Sequence, residues 1–370
     1  MKFMRVISFA IISALSIGTI VAVAEVNKVP VDRTFTIEDL SGDRSILEGV
    51  TLENIIKTDT NTFEKVYLNN EDVIFEKTKF DLKYGVGEEI LAHKDLYRGM
   101  NHALKLETDA VLLTVKFNSL YPYASNEAFV ELAMKNKKSD EVLKEKITLA
   151  DLNMNQQIVN EAVLEIDGVI YYCMTVGDTN GNSANQSIRI YEINPKSLQL
   201  QVVNITDISL TGDYANSTNV IADGKHLFTI VYNDQEFKLV SYNLLTKETE
   251  VTDLPSVTEK LDYIQFFALD TQSIFLQEDE AMLIVDRQTG QLINEEAAIP
   301  DFKNNYDYVY SVEHIIKDDI LYVLYGTYTE GIASDQLIVA YDGKDGNIVY
   351  EGKLPSMADR GVGKDYSFLQ

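Results

Sequence analysis

Four histidines are the candidate general bases and metal ligands of this chain, and they fit no metal-binding motif. They are His93, His102, His226 and His314. A zinc-binding helix places two histidines four residues apart with a carboxylate beside them, and no pair here has that spacing. His226 and His314 lie in or beside predicted strands, which favours a packing or surface role. A metal centre assembled from distant parts of the chain is left open.

Oxygen-bearing side chains alternate in one short segment, as they do at the start of a calcium-binding loop. The candidate calcium ligands are Asp178, Asn180 and Asn182. A helix–loop–helix calcium site needs glycine at its sixth position and glutamate at its twelfth, where this chain has Ser183 and Arg189. The alternative is a hairpin turn rich in asparagine and glycine, which the turn chemistry favours. Calcium is the one cofactor that the sequence suggests, and no other cofactor is predicted.

Three tyrosines alternate in the last third of the chain: Tyr306, Tyr308 and Tyr310. Side chains two residues apart in a strand share one face, so the three rings are expected side by side. If exposed, they would form a platform for a sugar or a peptide. If buried between sheets, they would be core residues with a polar tip. The alternation with apolar neighbours is typical of a half-buried strand and favours the core.

No motif for nucleophilic catalysis or phosphate binding is complete. A Gly-x-Ser-x-Gly elbow is absent, and residues 361–364 lack the leading glycine and the trailing hydroxyl residue of a phosphate loop. Paired carboxylates perform glycosidase chemistry, but 58 acidic residues give no basis for choosing two. Cys173, the only cysteine, lies in an apolar run and is expected to be a buried small hydrophobic residue. No catalytic residue is therefore predicted.

The charge balance restricts the partners. With 58 acidic and 32 basic side chains, the chain has a net charge of −26. Such a surface repels phosphate backbones and anionic lipid headgroups, so nucleic-acid binding is not expected. The same charge is compatible with cationic partners or divalent ions, and it also serves solubility alone.

The first 24 residues have the pattern of a signal peptide or a membrane anchor. Lys2 and Arg5 precede an uncharged run over residues 6–24. Its final Ala-Val-Ala suits cleavage, whereas its length just suffices for an uncleaved helix across the membrane. Both alternatives place the rest of the chain outside the cytoplasmic membrane, either secreted or tethered, and the signal suggests a bacterial source. Membrane contact is expected only through residues 6–24, and residues 25–36 are expected to form a linker.

Residues 37–370 have the pattern of an all-β chain made of repeated units. Short runs rich in Val, Ile, Tyr, Phe and Thr are separated by turn-forming clusters. Four units begin with an acidic turn before an apolar strand, and successive turns are 56, 47 and 48 residues apart, starting at Asp167, Asp223, Asp270 and Asp318. Each unit closes with a second hairpin. Four strands in about 50 residues predict a β-propeller of six to seven four-stranded blades.

The first half of the chain fits this repeat less closely. Residues 62–68 and 72–77 form a hairpin signal, and residues 128–134 resemble the closing hairpin of a unit. Residues 85–101 break the pattern and are expected to be a surface excursion with a helical turn. The tail, residues 366–369, is predicted to supply the strand that closes the ring against residues near 40–55.

The closing turns of two units carry a recognisable pattern. An apolar strand is followed by Asp-x-x-Thr-Gly at residues 286–290 and by Asp-Gly-Lys-Asp-Gly at residues 342–346, before another strand. This pattern resembles the repeats of quinoprotein-like β-propellers over about 200 residues. Quinoprotein dehydrogenases also carry tryptophan docking motifs, and this chain has no tryptophan. The resemblance therefore implies architecture and not redox activity.

Two hypotheses about function follow from these patterns. The leading one is a non-catalytic exported propeller that binds or senses an extracytoplasmic ligand or partner, namely an envelope protein, a peptide or a glycan. It depends on the repeats and the export signal occurring without a catalytic motif, because propellers host many unrelated functions. The alternative is an extracytoplasmic hydrolase or lyase whose carboxylates and histidines converge at the propeller channel.

Overall fold

The structure of the protein is a computed structural model. It describes residues 35–59, 62–70, 72–81, 86–100, 103–118, 128–150, 152, 156–178, 184–279, 281–294, 298–330, 332–355 and 366–369. The apolar segment at residues 6–24 lies outside these ranges, as do the candidate calcium ligands Asn180 and Asn182. Within these ranges, no helix combines the length and the apolar character needed to cross a membrane.

The described residues form mainly β-strands, as the alternating β-branched and aromatic residues predict. The strands of the first half are β1 (Glu38–Gly42), β2 (Leu52–Asp59), β3 (Thr62–Leu68), β4 (Val73–Thr78), β5 (Phe80–Asp81), β6 (Val86–Gly87), β7 (Leu104–Glu107), β8 (Val111–Asn118), β9 (Phe129–Asn136), β10 (Val142–Thr148), β11 (Gln156–Ile166), β12 (Val169–Asp178), β13 (Asn185–Ile193) and β14 (Leu200–Ser209). Those of the second half are β15 (Asn216–Ser217), β16 (Ile221–Ala222), β17 (His226–Tyr232), β18 (Phe237–Asn243), β19 (Thr249–Asp253), β20 (Phe266–Leu269), β21 (Ser273–Glu278), β22 (Ala281–Asp286), β23 (Tyr308–Lys317), β24 (Ile320–Thr329), β25 (Ile332–Asp342), β26 (Ile348–Lys353) and β27 (Ser367–Phe368).

The helices are short and lie outside the repeated sheets. They are α1 (Glu88–Ala92), α2 (Lys94–Tyr97), α3 (Pro255–Thr258) and two 3₁₀ turns (Arg44–Leu47 and Asp301–Asn305). The first two fall inside the predicted excursion at residues 85–101, so the helical turn expected there is confirmed.

Six antiparallel sheets form the blades of a propeller, so the predicted all-β propeller is confirmed with six blades in the described residues. From the channel outward, the strand orders are β27-β2-β3-β4, β7-β8-β9-β10, β11-β12-β13-β14, β15/β16-β17-β18-β19, β20-β21-β22 and β23-β24-β25-β26-β1, for blades 1 to 6. The first strand in each order is the inner strand, because it contacts the inner strand of a neighbouring blade. These contacts are seen for β7 with β11, β11 with β15, β20 with β23 and β23 with β27.

The ends of the chain close the ring, as the sequence predicts. The tail strand β27 pairs with β2, with Leu52 opposite Phe368 and Glu53 opposite Ser367. At the other end, β1 adds an outer strand to blade 6 through its pairing with β26. Residues from both termini are therefore needed to complete blades 1 and 6.

The hydrophobic core lies between neighbouring blades rather than inside any one of them. One cluster joins Leu113 and Val130 of blade 2 to Tyr172 and Tyr191 of blade 3. Another joins Phe275 of blade 5 to residues of blade 6. A single sheet exposes both faces, so the blades bury their apolar surface only by stacking around a circle.

Two details differ from or extend the sequence prediction. Blade 5 has three strands in the described residues, and its fourth position holds only isolated bridges, such as Val285 with Leu292. Cys173 is fully buried, as expected of a small hydrophobic residue, and burial raises the pKa of its thiol to about 12.

Candidate functional site

Three consecutive blades bring acidic turns to one end of the channel, which we call the lower mouth. The lower mouth is the end at which the inner strand of each blade turns into the second strand. Inner strands run in the same direction along the channel, so the turns that follow them meet at this end. The turns of blades 4, 5 and 6 carry Asp223, Asp270 and the pair Asp318–Asp319. Both residues of that pair have positive φ, 52° and 61°, a conformation that aspartate tolerates better than most residues.

A cleft of about 810 Å³ lies beside these turns. It is lined by the four aspartates and by three basic side chains, which are Lys225, His226 and Arg287. Leu269 and Ile316 line both this cleft and a second cavity of about 490 Å³ along the inner strands of blades 4 to 6. The cleft therefore adjoins the cavity along the channel, and charged groups of both signs line the cleft.

The carboxylate of Asp223 is fixed by several donors. Its Oδ1 accepts hydrogen bonds from the backbone N–H groups of Lys225 (2.9 Å) and His226 (2.8 Å). Its Oδ2 is paired with the guanidinium of Arg287, whose Nη1 also donates to the carbonyl of Asp270 at 2.9 Å. Burial alone would raise the pKa of Asp223, but the hydrogen bonds from Arg287 and the backbone outweigh it and lower the pKa to about 2. Asp223 is thus a permanent anion that holds Arg287 across the cleft between blades 4 and 5.

His226 has both ring nitrogens engaged. Nδ1 lies 3.3 Å from Oδ2 of Asp223, and Nε2 lies 3.0 Å from Nδ2 of Asn243. Oδ1 of Asn243 already accepts two backbone hydrogen bonds, so its amide group donates to Nε2. The imidazole therefore carries its proton on Nδ1 and donates it to Asp223. His226 is held in place as part of the wall of the cleft.

His314 differs from His226, because its imidazole lines the channel cavity without a hydrogen-bond partner among the described residues. It lies on the inner strand β23 and stacks on Phe266 of blade 5, with ring centroids 4.4 Å apart and planes 15° apart. Burial lowers the pKa of His314 from its ordinary value of 6.5. The ring is consequently neutral near pH 7, and a lone pair is available to accept a proton in the cavity.

The strand that carries His314 also places a carboxylate and an ammonium group near the channel. Glu313 faces blade 1, where it accepts a hydrogen bond from the backbone N–H of Phe368 at 2.9 Å, and burial raises its pKa. Lys317, at the end of the strand, lines the same cavity as His314 and donates to the carbonyl of Glu48 at 3.3 Å. A β-bulge between residues 311 and 313 interrupts the register just before these side chains. Bulges of this kind often occur beside functional sites, where they redirect side chains.

A second carboxylate with a perturbed pKa lies on the inner strand of blade 3. Glu161 accepts a hydrogen bond from the hydroxyl of Tyr172 at 2.7 Å. Burial raises the pKa of Glu161, and the Tyr172 hydrogen bond only partly offsets this effect. Titratable side chains with shifted pKa values thus lie on the inner strands on opposite sides of the ring, a pattern that is common at functional sites.

The candidate residues from the sequence are only partly brought together. Asp178 ends strand β12, whereas its two partners in the calcium hypothesis lie outside the described residues. No group of three metal-ligating side chains is found among the residues that the structure describes. Tyr308 and Tyr310 stack on one face of β23, but Tyr306 precedes the strand and donates to Asp335 at 2.9 Å. The calcium loop and the ligand platform remain predictions.

The lower mouth was not predicted from the sequence, although a signal was present. The acidic turns were interpreted as turns of the repeat, and His226 and His314 mainly as packing or surface residues, while convergence of carboxylates and histidines at the channel was the alternative. Each of these two histidines nevertheless lies within four residues of an acidic turn, His226 after Asp223 and His314 before Asp318. A histidine next to the same turn in two units is a pattern that packing alone does not require.

Comparisons with known proteins find similarity at the level of structure. No protein-family model matches the chain, and no curated protein matches it. A periplasmic gluconolactonase of Pseudomonas aeruginosa is 10% identical, with a TM-score of 0.42 over 87% of this chain and 99% of that one. A GH43 β-1,3-galactosidase is 7% identical, with a TM-score of 0.37 over 67% of this chain and 92% of that one. A prolyl endopeptidase is 10% identical, with a TM-score of 0.40 over 86% of this chain, which spans only 43% of that enzyme.

The prediction of a non-catalytic binding or sensing propeller is corrected by these comparisons, because the three similar structures are enzymes. At such low identity, no substrate or reaction is transferred from them. The sequence favoured the non-catalytic hypothesis because the groups at the lower mouth are separated along the chain and form no linear motif. The alternative, a hydrolase or lyase at the channel, is a proposal.

Proposed function

We propose that the protein is an extracytoplasmic hydrolase or lyase whose reaction takes place where the cleft meets the channel at the lower mouth. The observation that carries this proposal is the imidazole of His314, which faces a cavity and has no hydrogen-bond partner among the described residues. Burial also lowers its pKa. A base needs an available lone pair and a pKa below the working pH, and this side chain has both. His226, whose nitrogens are both engaged, lacks the first property.

The residues around His314 suit a reaction at a carbonyl group. In hydrolysis, His314 takes a proton from water while the water oxygen bonds to the carbonyl carbon, and the proton then passes to the leaving group as its bond breaks. In elimination, the same lone pair takes a proton from the carbon next to the carbonyl. A carbon–carbon double bond then forms as the leaving group departs from the adjacent carbon with the bonding electron pair. Both routes place negative charge on the carbonyl oxygen, which the ammonium group of Lys317 would stabilise.

The adjoining cleft suits a substrate that bears an acidic or strongly polar group. Lys225 projects into the cleft and forms no ion pair in the described residues, whereas Arg287 is neutralised by Asp223. An anionic group of the substrate would therefore pair with Lys225 while its carbonyl lies toward His314. The aspartates at the rim of the cleft would repel the anionic group of the substrate at any position away from Lys225. They therefore restrict the orientation of the bound substrate.

The test is an activity screen of the full chain with esters, lactones and uronate-containing glycans. In His314→Gln we expect kcat to fall by about 100-fold or more, because general-base catalysis contributes that much. The wild-type rate should rise with pH through a pKa below 6.5, and this limb should disappear in the variant. His93→Gln, which changes a histidine between α1 and α2, is the matched control. Equal activity of the two variants would refute the role of His314.

The location and the finer architecture are part of the same proposal. The uncharged run at residues 6–24 supports export, and N-terminal sequencing of the mature protein tests whether the run is removed. The Asp-x-x-Thr-Gly turn at residues 286–290 supports quinoprotein-like blades as a description of architecture alone. An unprocessed protein found in the cytoplasm would contradict the proposed location.

A further inference from the structure

Three tyrosines form an aromatic surface at the other end of the channel, which we call the upper mouth. This tyrosine platform consists of Tyr308 and Tyr310 on β23 and Tyr328 on β24. The rings of Tyr308 and Tyr310 are nearly parallel, with centroids 6.0 Å apart and planes 13° apart. Tyr328 lies 5.6 Å from Tyr310 and 6.3 Å from Tyr308, at angles of 34° and 38°. Tyr308 is 52% exposed, so the platform is open to solvent.

The backbone beneath the platform is shaped to hold it. Tyr310 is paired with Gly326 on the neighbouring strand, and a Cβ atom at Gly326 would collide with the Tyr310 ring. The ring therefore lies flat over the glycine. Tyr306, by contrast, packs edge-on against Phe302 and belongs to the core between blades 5 and 6. The three platform rings are thus held on the sheet as a surface, separately from the core tyrosine.

Carboxylates lie next to this platform. The hydroxyl of Tyr263, itself 40% exposed, donates to Asp279 in the turn after β21. Glu278 accepts a hydrogen bond from the backbone of Asp262 at 3.3 Å. The hydrogen bond to Asp279 is the main reason why the pKa of Tyr263 is raised, and nearby Tyr308 contributes to the same shift. Tyr263 therefore joins the carboxylates of blade 5 to the platform of blade 6.

No basic side chain balances these carboxylates in the residues that the structure describes. Asp262, Glu278 and Asp279 form no ion pair there. Burial raises the pKa of Glu278, and repulsion from Asp262 and Asp279 adds to the same shift. Aromatic faces attract cations, and the attraction is stronger when the contact is shielded from water. A guanidinium group could lie on Tyr308 while its N–H groups reach the carboxylates. A neutral ligand would leave the carboxylates uncompensated.

We propose that the tyrosine platform, together with Asp279, is a second binding site at the upper mouth that takes an arginine side chain of a basic peptide. This site is separate from the reaction proposed at the lower mouth and does not depend on it. The choice of occupant follows from charge complementarity, since exposed rings and unpaired carboxylates occur side by side in a chain of net charge −26.

The experiment is fluorescence anisotropy of the full chain with a labelled hexapeptide of alternating arginine and glycine, at about 0.15 M salt to screen remote charges. Tyr308→Ala should weaken binding by roughly 5- to 30-fold, the range expected for a cation–π contact. Asp279→Asn should weaken it as well, and it keeps the binding test valid should Tyr308→Ala fold poorly.

Two consecutive residues in the loop between β14 of blade 3 and β15 of blade 4 provide matched controls. Asp213→Asn makes the same change in charge, and Tyr214→Ala removes a ring that is 39% exposed. Both controls should bind the peptide as the wild type does. Equal weakening by the controls would show that the net charge, rather than the platform, attracts the peptide. No binding, or tighter binding of a neutral oligosaccharide such as cellohexaose, would overturn the proposal.

Discussion

Replacing Phe368 by alanine should weaken the closure of the ring. The tail strand β27 is only two residues long, so few backbone hydrogen bonds hold it to β2. The side chain of Phe368 is expected to contribute more than these hydrogen bonds, because it is 5% exposed and packs with Leu52 of blade 1 and Tyr322 of blade 6. Most of the free energy that holds the tail strand to the propeller is therefore expected to come from the burial of this one phenyl group.

The magnitude follows from the burial of Phe368. Truncating a fully buried phenylalanine to alanine costs about 3–5 kcal/mol, the sum of lost transfer free energy and a cavity. A domain is stable by only about 5–15 kcal/mol, so this loss would remove a large share of the total. The hydrogen bond from the Phe368 backbone to Glu313 is unaffected by the substitution, so the effect can be assigned to the side chain.

Equilibrium unfolding in urea measures this loss. The next residue provides the control, since Leu369 belongs to the same tail but is 49% exposed. Leu369→Ala should cost less than about 1 kcal/mol, as is usual for exposed positions. If Phe368→Ala costs no more than Leu369→Ala, the tail does not close the ring by burying this side chain, and the account of ring closure given above is incorrect.

Three further predictions concern single residues on the inner strand of blade 3, in the cleft and beneath the tyrosine platform. Burial raises the pKa of Glu161, so the folded protein is destabilised when this carboxyl group ionises above pH 4.5. Glu161→Gln, which stays neutral, should therefore raise the melting temperature at neutral pH. Thermal melts on both sides of pH 4.5 should show the difference only on the upper side. Asp223→Asn should cost about 1 kcal/mol at neutral pH after allowing for solvent screening. This cost should disappear as pH falls from 3.8 to about 2, where the wild-type carboxylate loses its pairing with Arg287; an unchanged difference across that range would contradict the lowered pKa. Gly326→Ala should displace the ring of Tyr310 and lower the free energy of unfolding in urea by about 1–3 kcal/mol, as overpacking does. An unchanged free energy would mean that the ring can move aside without cost.

The architecture could be predicted because each blade repeats a local signal. An acidic turn such as that at Asp167 lies between two apolar strands, and its geometry needs positive φ, which Asp167 and Gly168 have at 51° and 77°. The tail strand could also be predicted, since a circle of blades leaves an unpaired edge that some terminal segment must cover. These signals lie in short runs of consecutive residues, so they can be recognised in the sequence alone.

The site could not be predicted in the same way. Asp223 and Asp270 are 47 residues apart, and only the rotation from one blade to the next brings them to one cleft. Likewise, the bulge before Glu313 depends on the pairing of β23 with β24, which no single strand reveals. The expectation that three tyrosines share one face failed at Tyr306, because the strand begins two residues later than the alternation suggests.

A final prediction separates catalysis from packing at His314. A buried imidazole with a lowered pKa costs stability, because the unfolded chain can take up a proton that the folded protein resists. Phenylalanine at this position would stack on Phe266 equally well, at the present centroid distance of 4.4 Å, without that cost. His314→Phe should therefore raise the melting temperature, most clearly below pH 6.5, while it abolishes activity. A site kept for its chemistry behaves in this way, since a sequence selected for stability alone would place an apolar ring there. A lower melting temperature in His314→Phe would instead show that the imidazole is a structural part of the channel wall.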